Sequence, residues 1–304
     1  MRVAPFLLVA FVGLLAGCSS GEPGSASTHA PASRTSAAIN ATRSSAPTPA
    51  PTLAPTAPPT PTPRPTVSPS PIPIYHGSPF TVAIEAGHGG PHWFGGSGRG
   101  PDGTLMREKD LNLDVAKRLE ALLDEAGYNA ILIRDGDYTI MPFYSWDYRG
   151  SLASETQARV DVANALEADI LVSLHFNGSS DAAMGGTQTY YNPDRSFGAE
   201  SYSLAFFVHD ALIRALGETG YRVRDLGIRN DAEVGGDPSN AHSFLLGTNA
   251  HFRPSLMPGI ISEALFLSNA EDAAAIAGED ARQRMAEAYR QGIDAYFAWL
   301  LSPR

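Results

Sequence analysis

Beyond residue 79 the apolar positions follow two rhythms that alternate along the chain. Phe80–Glu85 is a short apolar run with β-branched Val82 and Ile84, and it gives way to Gly87-His88-Gly89-Gly90, the pattern of a buried strand closing in a tight glycine turn. Lys109–Ala126 then places Leu111, Val115, Leu119, Leu122 and Leu123 at helical spacing, with Gly127 as the stop. Asn129–Arg134 reads as a second strand. Ser154-Glu155-Thr156-Gln157 has the spacing of a capping box that opens a helix running to about Glu167. Ile170–His175 is a third strand, Gly186–Tyr191 a fourth with clean alternation, and Gly259–Glu263 a further one. Gly198–Gly217 reads as a helix. Asp280–Leu301 closes the chain as another, with Met285, Tyr289, Ile293, Phe297 and Leu300 on its apolar face. Strands separated by long helices predict an α/β fold: a single domain over residues 79–304 whose mostly parallel, twisted sheet of about six strands carries helices on both faces.

This frame gives the ionisable residues a place. Ligands of an open α/β sheet collect beyond the carboxyl ends of its strands. His88 follows the first strand, His175 ends the third, Glu263 ends the strand from Gly259, and Glu108 opens the first long helix, which begins at that same edge. Two imidazoles and a carboxylate suit Zn²⁺ with a fourth position open to water. A remaining carboxylate that is not a ligand, Glu263, suits a general base and acid in metal-assisted hydrolysis. His92, His242 and His251 read as loop residues, and Arg159 and Asn164 as ties between a helix and a neighbouring loop.

The first 78 residues differ in kind. Arg2 precedes an apolar run from Ala4 to Leu15, too short to span a bilayer comfortably, and Leu15-Ala16-Gly17-Cys18 resembles the lipobox of bacterial lipoproteins. That resemblance implies a signal peptide over 1–17 and lipid on Cys18, the one cysteine of the chain; the plainer alternative is an ordinary signal peptide. Ser19–Ser78 holds 14 of the 24 prolines and almost nothing apolar, so residues 18–78 are expected to form a disordered, lipid-anchored Pro/Thr/Ser-rich tether. In extended polyproline geometry Pro47–Pro73 alone would reach on the order of 80 Å. After Ser78 the acidic excess leaves a net charge near −13, against −10 for the whole chain, which disfavours nucleic acid as a partner.

Five blocks occur in an order that resembles the zinc-dependent N-acetylmuramoyl-L-alanine amidases of the amidase 3 type. They are Gly87-His88-Gly89-Gly90, Arg107–Leu113 (REKDLNL), Arg159–Asn164 (RVDVAN), Ala168–Asn177 (ADILVSLHFN) and Glu263–Asn269 (EALFLSN). The resemblance runs from Phe80 to about Phe297. It implies that His88, Glu108 and His175 hold one zinc ion and that Glu263 is the catalytic residue in cleaving the amide between N-acetylmuramic acid and L-alanine. Peptidoglycan is then the substrate, and the envelope outside the cytoplasm, with a membrane anchor through Cys18, the expected location. The family usually has Asp-Pro where this chain has Glu85-Ala86, so Glu85 is expected to orient a ligand imidazole. Loop Asp135–Ala153, rich in Tyr, Phe and Trp, and the stretch Asn230–Met257 look longer than usual. Two other functions fit the same residues: a wall-binding or activating protein without turnover, and a zinc peptidase acting on the stem peptide.

Overall fold

A computed structural model describes residues 79–234, 242–247 and 252–303. The expectations for the signal peptide, Cys18, the 18–78 tether and His251 lie outside these residues. The strands are β1 (Thr81–Ala86), β2 (Ser97–Arg99), β3 (Leu105–Arg107), β4 (Asn129–Leu132), β5 (Ile170–Asn177), β6 (Thr187–Tyr191), β7 (Asp225–Asn230) and β8 (Gly259–Phe266). The helices are α1 (Glu108–Glu125), α2 (Tyr148–Ala165), α3 (Gly198–Glu218), α4 (Ala270–Ile276) and α5 (Glu279–Leu300).

Six strands form one sheet in the order β4-β1-β5-β8-β6-β7, parallel throughout except where β6 meets β8. Strand alternation sends Val82, Ile84, Ile170, Val172 and Ile260 to a face covered by α1, α3 and α5. It sends Ala83, Leu171 and Ile261 to the other face, under Val160 and Ala163 of α2 with Leu245, Leu246 and Met257. Apolar side chains are buried on both faces, and each fully buried Ile, Leu or Val stabilises the fold by roughly 1.5–3 kcal/mol. The same alternation puts Glu85, Ser173, His175 and Glu263 toward the α2 face at the carboxyl edge. Among the described residues no helix is long and apolar enough to cross a membrane.

Three details differ from the sequence reading. Helix α2 starts at Tyr148, not Ser154, because the Asp147 side chain caps it by accepting from the Gly150 N–H. Gln157, the far end of the expected capping box, is engaged instead with Asp161 and Arg253, and Glu155 beside Ser154 accepts from the Ile140 and Met141 N–H groups at 3.1 and 2.7 Å. The glycine-rich loop after β1 contains the β2–β3 hairpin. Beyond α3 lie two elements without a strong apolar rhythm, edge strand β7 and the seven-residue α4, which Asn269 caps by accepting from the Glu271 and Asp272 N–H groups.

Candidate active site

The β1 chain leaves the sheet through Gly87 and turns at His88, whose φ of 62° is in the left-handed region. Gly87 is required for contact: a Cβ there would stand 2.2 Å from His175 Cε1. Gly95, at φ 71°, is required for the same reason, since a Cβ would fall 2.3 Å from Glu108 Oε2. The hairpin ends at Arg107 and α1 begins at the next residue, so the hairpin delivers Glu108 to the sheet edge. Its N–H donates to the Gly96 carbonyl at 2.9 Å.

Glu108 Oε1 lies 3.0 Å from His88 Nε2 and 2.8 Å from His175 Nδ1. The Gly96 N–H donates to Oε2 at 2.6 Å and the Phe176 N–H to Oε1 at 3.2 Å, which orients the carboxylate. One donor atom from each of His88, Glu108 and His175 falls within 4.8 Å of the others. His88 Nδ1 is buried and has no partner. Two nitrogens and one carboxylate oxygen at this spacing fit a divalent ion such as zinc, whose tetrahedral sites use these ligands.

The charges support one another. Burial works against a charged Glu108, but His88 and His175 hold its carboxyl below the usual range. Burial lowers His88, while Glu108 pulls the other way. Burial also disfavours charge on His175, yet hydrogen bonding to Glu108 and Glu85 raises it well above its ordinary value. His175 Nε2 faces Glu85 Oε2 at 3.6 Å, and that oxygen also accepts from the Ser173 hydroxyl at 2.6 Å. Glu85 thus stands behind one imidazole of the cluster, where a carboxylate fixes ring orientation.

Glu263 is the strand neighbour of His175 across the β5–β8 pair. Its Oε2 is buried and unpaired, and burial pushes the carboxyl up to about 7, with His175 acting against the rise. Gln188 of antiparallel β6 stands opposite it on the other side.

Beneath the site lie buried residues whose role sequence reading missed or understated. Arg134 donates to the carbonyls of Ala86, Gly87, Gly136 and Lys109 at 2.7–2.9 Å, and so ties β1 to the start of α1. Arg159 pairs with Glu85 and Glu155 and donates to the Ala86 and His88 carbonyls at 3.0 and 2.7 Å. The expected tie from Arg159 therefore holds the glycine turn itself. Asn164 ties α2 to the 252–257 segment, accepting from the Leu256 N–H and donating to the Pro254 carbonyl. Of the other histidines, His92 is exposed, and His242 pairs with Asp231 and Asp194 away from the cluster.

The amidase 3 family model, described as N-acetylmuramoyl-L-alanine amidase, matches residues 82–295. Uncharacterized protein YqiI of Bacillus subtilis is 30% identical over 217 residues, which is 71% of this chain and 84% of the relative. The germination-specific N-acetylmuramoyl-L-alanine amidase of the same organism is 28% identical over 216 residues, covering 71% and 79%. Among solved structures, the amidase AmiC2 of Nostoc punctiforme superposes with a TM-score of 0.54 at 26% identity, covering 72% of this chain and 97% of that one. The catalytic domain of CwlV, the amidase of Bacillus (Paenibacillus) polymyxa var. colistinus, gives 0.52 at 30% identity, covering 72% and 98%. The family match runs from β1 into α5 and encloses His88, Glu108, His175 and Glu263, and on it the chain belongs to the N-acetylmuramoyl-L-alanine amidases, enzymes that cut peptidoglycan.

Proposed function

We propose that His88, Glu108 and His175 hold a zinc ion and that Glu263 moves the protons as the amide between the lactyl group of N-acetylmuramic acid and L-alanine is hydrolysed. The observation that carries this reading is the Glu263 carboxylate, unpaired at Oε2, set beside three converging metal donors. When bound, zinc supplies Lewis acidity at this edge. Glu263 takes a proton from the attacking water as the new C–O bond forms at the amide carbonyl. It returns that proton to the departing amine of L-alanine as the C–N bond breaks, so one carboxyl serves as base and then acid. A carboxyl pushed up to about 7 is suited to both transfers near neutral pH. Glu85 and Ser173 keep the His175 ring in place, and Arg159 keeps Glu85 charged.

Protein purified without added metal is expected to carry one zinc per chain by elemental analysis, and His175→Ala to lose most of it. Digestion of purified sacculi should release stem peptides with a free L-alanine amine. A metal-free protein, or His175→Ala with wild-type zinc, refutes the ligand assignment; new ends inside the stem peptide favour the peptidase reading.

The lipobox resemblance and the proline-rich composition support a second part of the proposal: Cys18 carries lipid, and 18–78 spaces the enzyme from a membrane at the cell envelope. Cys18→Ala is expected to move the protein from the membrane fraction to the soluble one. A variant that still sediments with membranes removes the anchor.

A further inference from the structure

A run of aromatic rings leads outward from His88. Trp93 meets the imidazole edge-on with centroids 4.9 Å apart, Phe143 stacks on Trp93 at 5.6 Å with planes 11° apart, and Tyr148 meets Phe143 edge-on at 5.3 Å. Two residues away in sequence, Trp146 packs on Tyr144 at 5.2 Å.

The inner and outer rings differ in what they do for the fold. Trp93 and Phe143 are each only 8% exposed, and they anchor the loop between β4 and α2 to the body. Hydrogen bonds complete that attachment: Glu155 accepts from Ile140 and Met141, Ser151 Oγ from the Tyr144 N–H at 2.8 Å, and Asp147 from Gly150. Of the outer rings, Tyr148 adds an edge contact to Phe143, while Tyr144 and Trp146 pack on one another. Tyr144, Trp146 and Tyr148 nevertheless stand 48%, 81% and 47% exposed, on a backbone held in place around them. Aromatic faces left in water next to a catalytic edge mark a binding surface, because the apolar area is recovered only when a ligand covers it.

The chemistry of the turn selects the ligand. From Tyr138 to Leu152 the chain holds one acid, Asp147, and one base, Arg149, so the rings present neutral faces without the basic residues that a phosphate or an anionic lipid surface needs. A pyranose ring has the complementary form: a C–H face that lies on an aromatic ring and hydroxyls at its rim that stay in water. We infer that Tyr144, Trp146 and Tyr148 form a shelf on which sugar rings of the glycan strand stack, gripping the polymer next to the amide that is cut. The inference rests on the amidase reading for the identity of the polymer, and it adds that the enzyme recognises glycan independently of the stem peptide.

The test separates the two readings. Peptide-free oligosaccharides of alternating N-acetylglucosamine and N-acetylmuramic acid are titrated calorimetrically into the full-length Cys18→Ala protein, alone and with Trp146→Ala or Trp146→Tyr. Saturable binding is expected, weakened about tenfold by Trp146→Ala and restored to within about twofold by Trp146→Tyr. Alongside, the ratio of kcat/KM on long glycan substrates to kcat/KM on a single muramoyl-peptide should fall about tenfold in Trp146→Ala. Equal glycan affinity with and without the indole overturns the shelf, as does Trp146-dependent binding to phosphatidylglycerol vesicles with no response to glycan. Amide cleavage with Trp146-independent affinity leaves the amidase reading standing and removes the shelf; Trp146-dependent glycan binding without cleavage of the muramoyl amide does the reverse.

Discussion

Glu263→Gln is expected to lower kcat on purified sacculi by about 10²–10⁴-fold, the usual worth of a positioned general base, while leaving zinc content and thermal midpoint near wild type. The amide has nearly the shape of the carboxyl it replaces but cannot take a proton. The surroundings make the substitution a clean probe. Glu263 Oε2 has no hydrogen-bond partner to lose, and the strand beneath is secured separately by the Tyr289 hydroxyl donating to Ser262 Oγ at 2.8 Å. Substrate still reaches the metal donors, so KM should change far less than kcat, the signature of an interaction made in the transition state. A variant within threefold of wild type would show that another group moves the proton, and Gln188, across the β6–β8 pair, would be the next residue to replace.

The candidate site residues were legible in the sequence because the carboxyl-end half of a strand is where α/β folds expose chemistry: His88 lies just past β1, Glu108 just past β3, and His175 and Glu263 in the later halves of β5 and β8. His88, His175 and Glu263 follow or belong to short apolar runs that suit buried parallel strands, and Glu108 opens a helix with a clear apolar stripe. Glu85 as a support of the imidazole and Arg159 as a tie were also legible in the sequence, but Arg134, Glu155 and the carboxylate partners of Arg159 were hidden from it. Arg134, Arg159 and Glu155 are buried; apart from the Arg159–Glu155 pair four residues apart and the Arg134–Gly136 bond, their partners lie 14 to 74 positions away in the chain and give no local signal. Edge strand β7 (DLGIRN) is half-buried, β2 and β3 span three residues each, and α4 runs for two turns, so none has enough periodic positions to register. The reversed direction of β6 is a property of topology: its alternation would look the same in either sense. At α2 the helix begins earlier than the Ser154 box suggests: Asp147 caps it by accepting from the Gly150 N–H, and Gln157, the far end of that box, is engaged with Arg253 and Asp161.

Arg159 is the support whose removal should cost most. Its guanidinium is 1% exposed, and it is shared between Glu85 and Glu155, carboxylates that are themselves 2% and 0% exposed. Through Glu155 it reaches the Ile140 and Met141 amides of the aromatic loop, through the Ala86 and His88 carbonyls it holds the glycine turn, and it lies 4.7 Å over the Trp93 ring. Arg159→Met fills similar space but strips two buried carboxylates, Glu85 and Glu155, of their shared guanidinium, and breaking a buried pair in this way destabilises by about 3–5 kcal/mol. For a domain of this size the thermal midpoint should drop by roughly 2–4 °C per kcal/mol. Arg159→Lys should recover only part of the loss, since one ammonium cannot serve two carboxylates and two carbonyls at fixed angles. The cause can be isolated by adding Glu85→Gln to Arg159→Met, which removes one of the stranded charges and should raise the midpoint above that of Arg159→Met alone. If the double variant were no more stable than the single one, the loss would come from packing around the guanidinium and not from the uncompensated charge on Glu85.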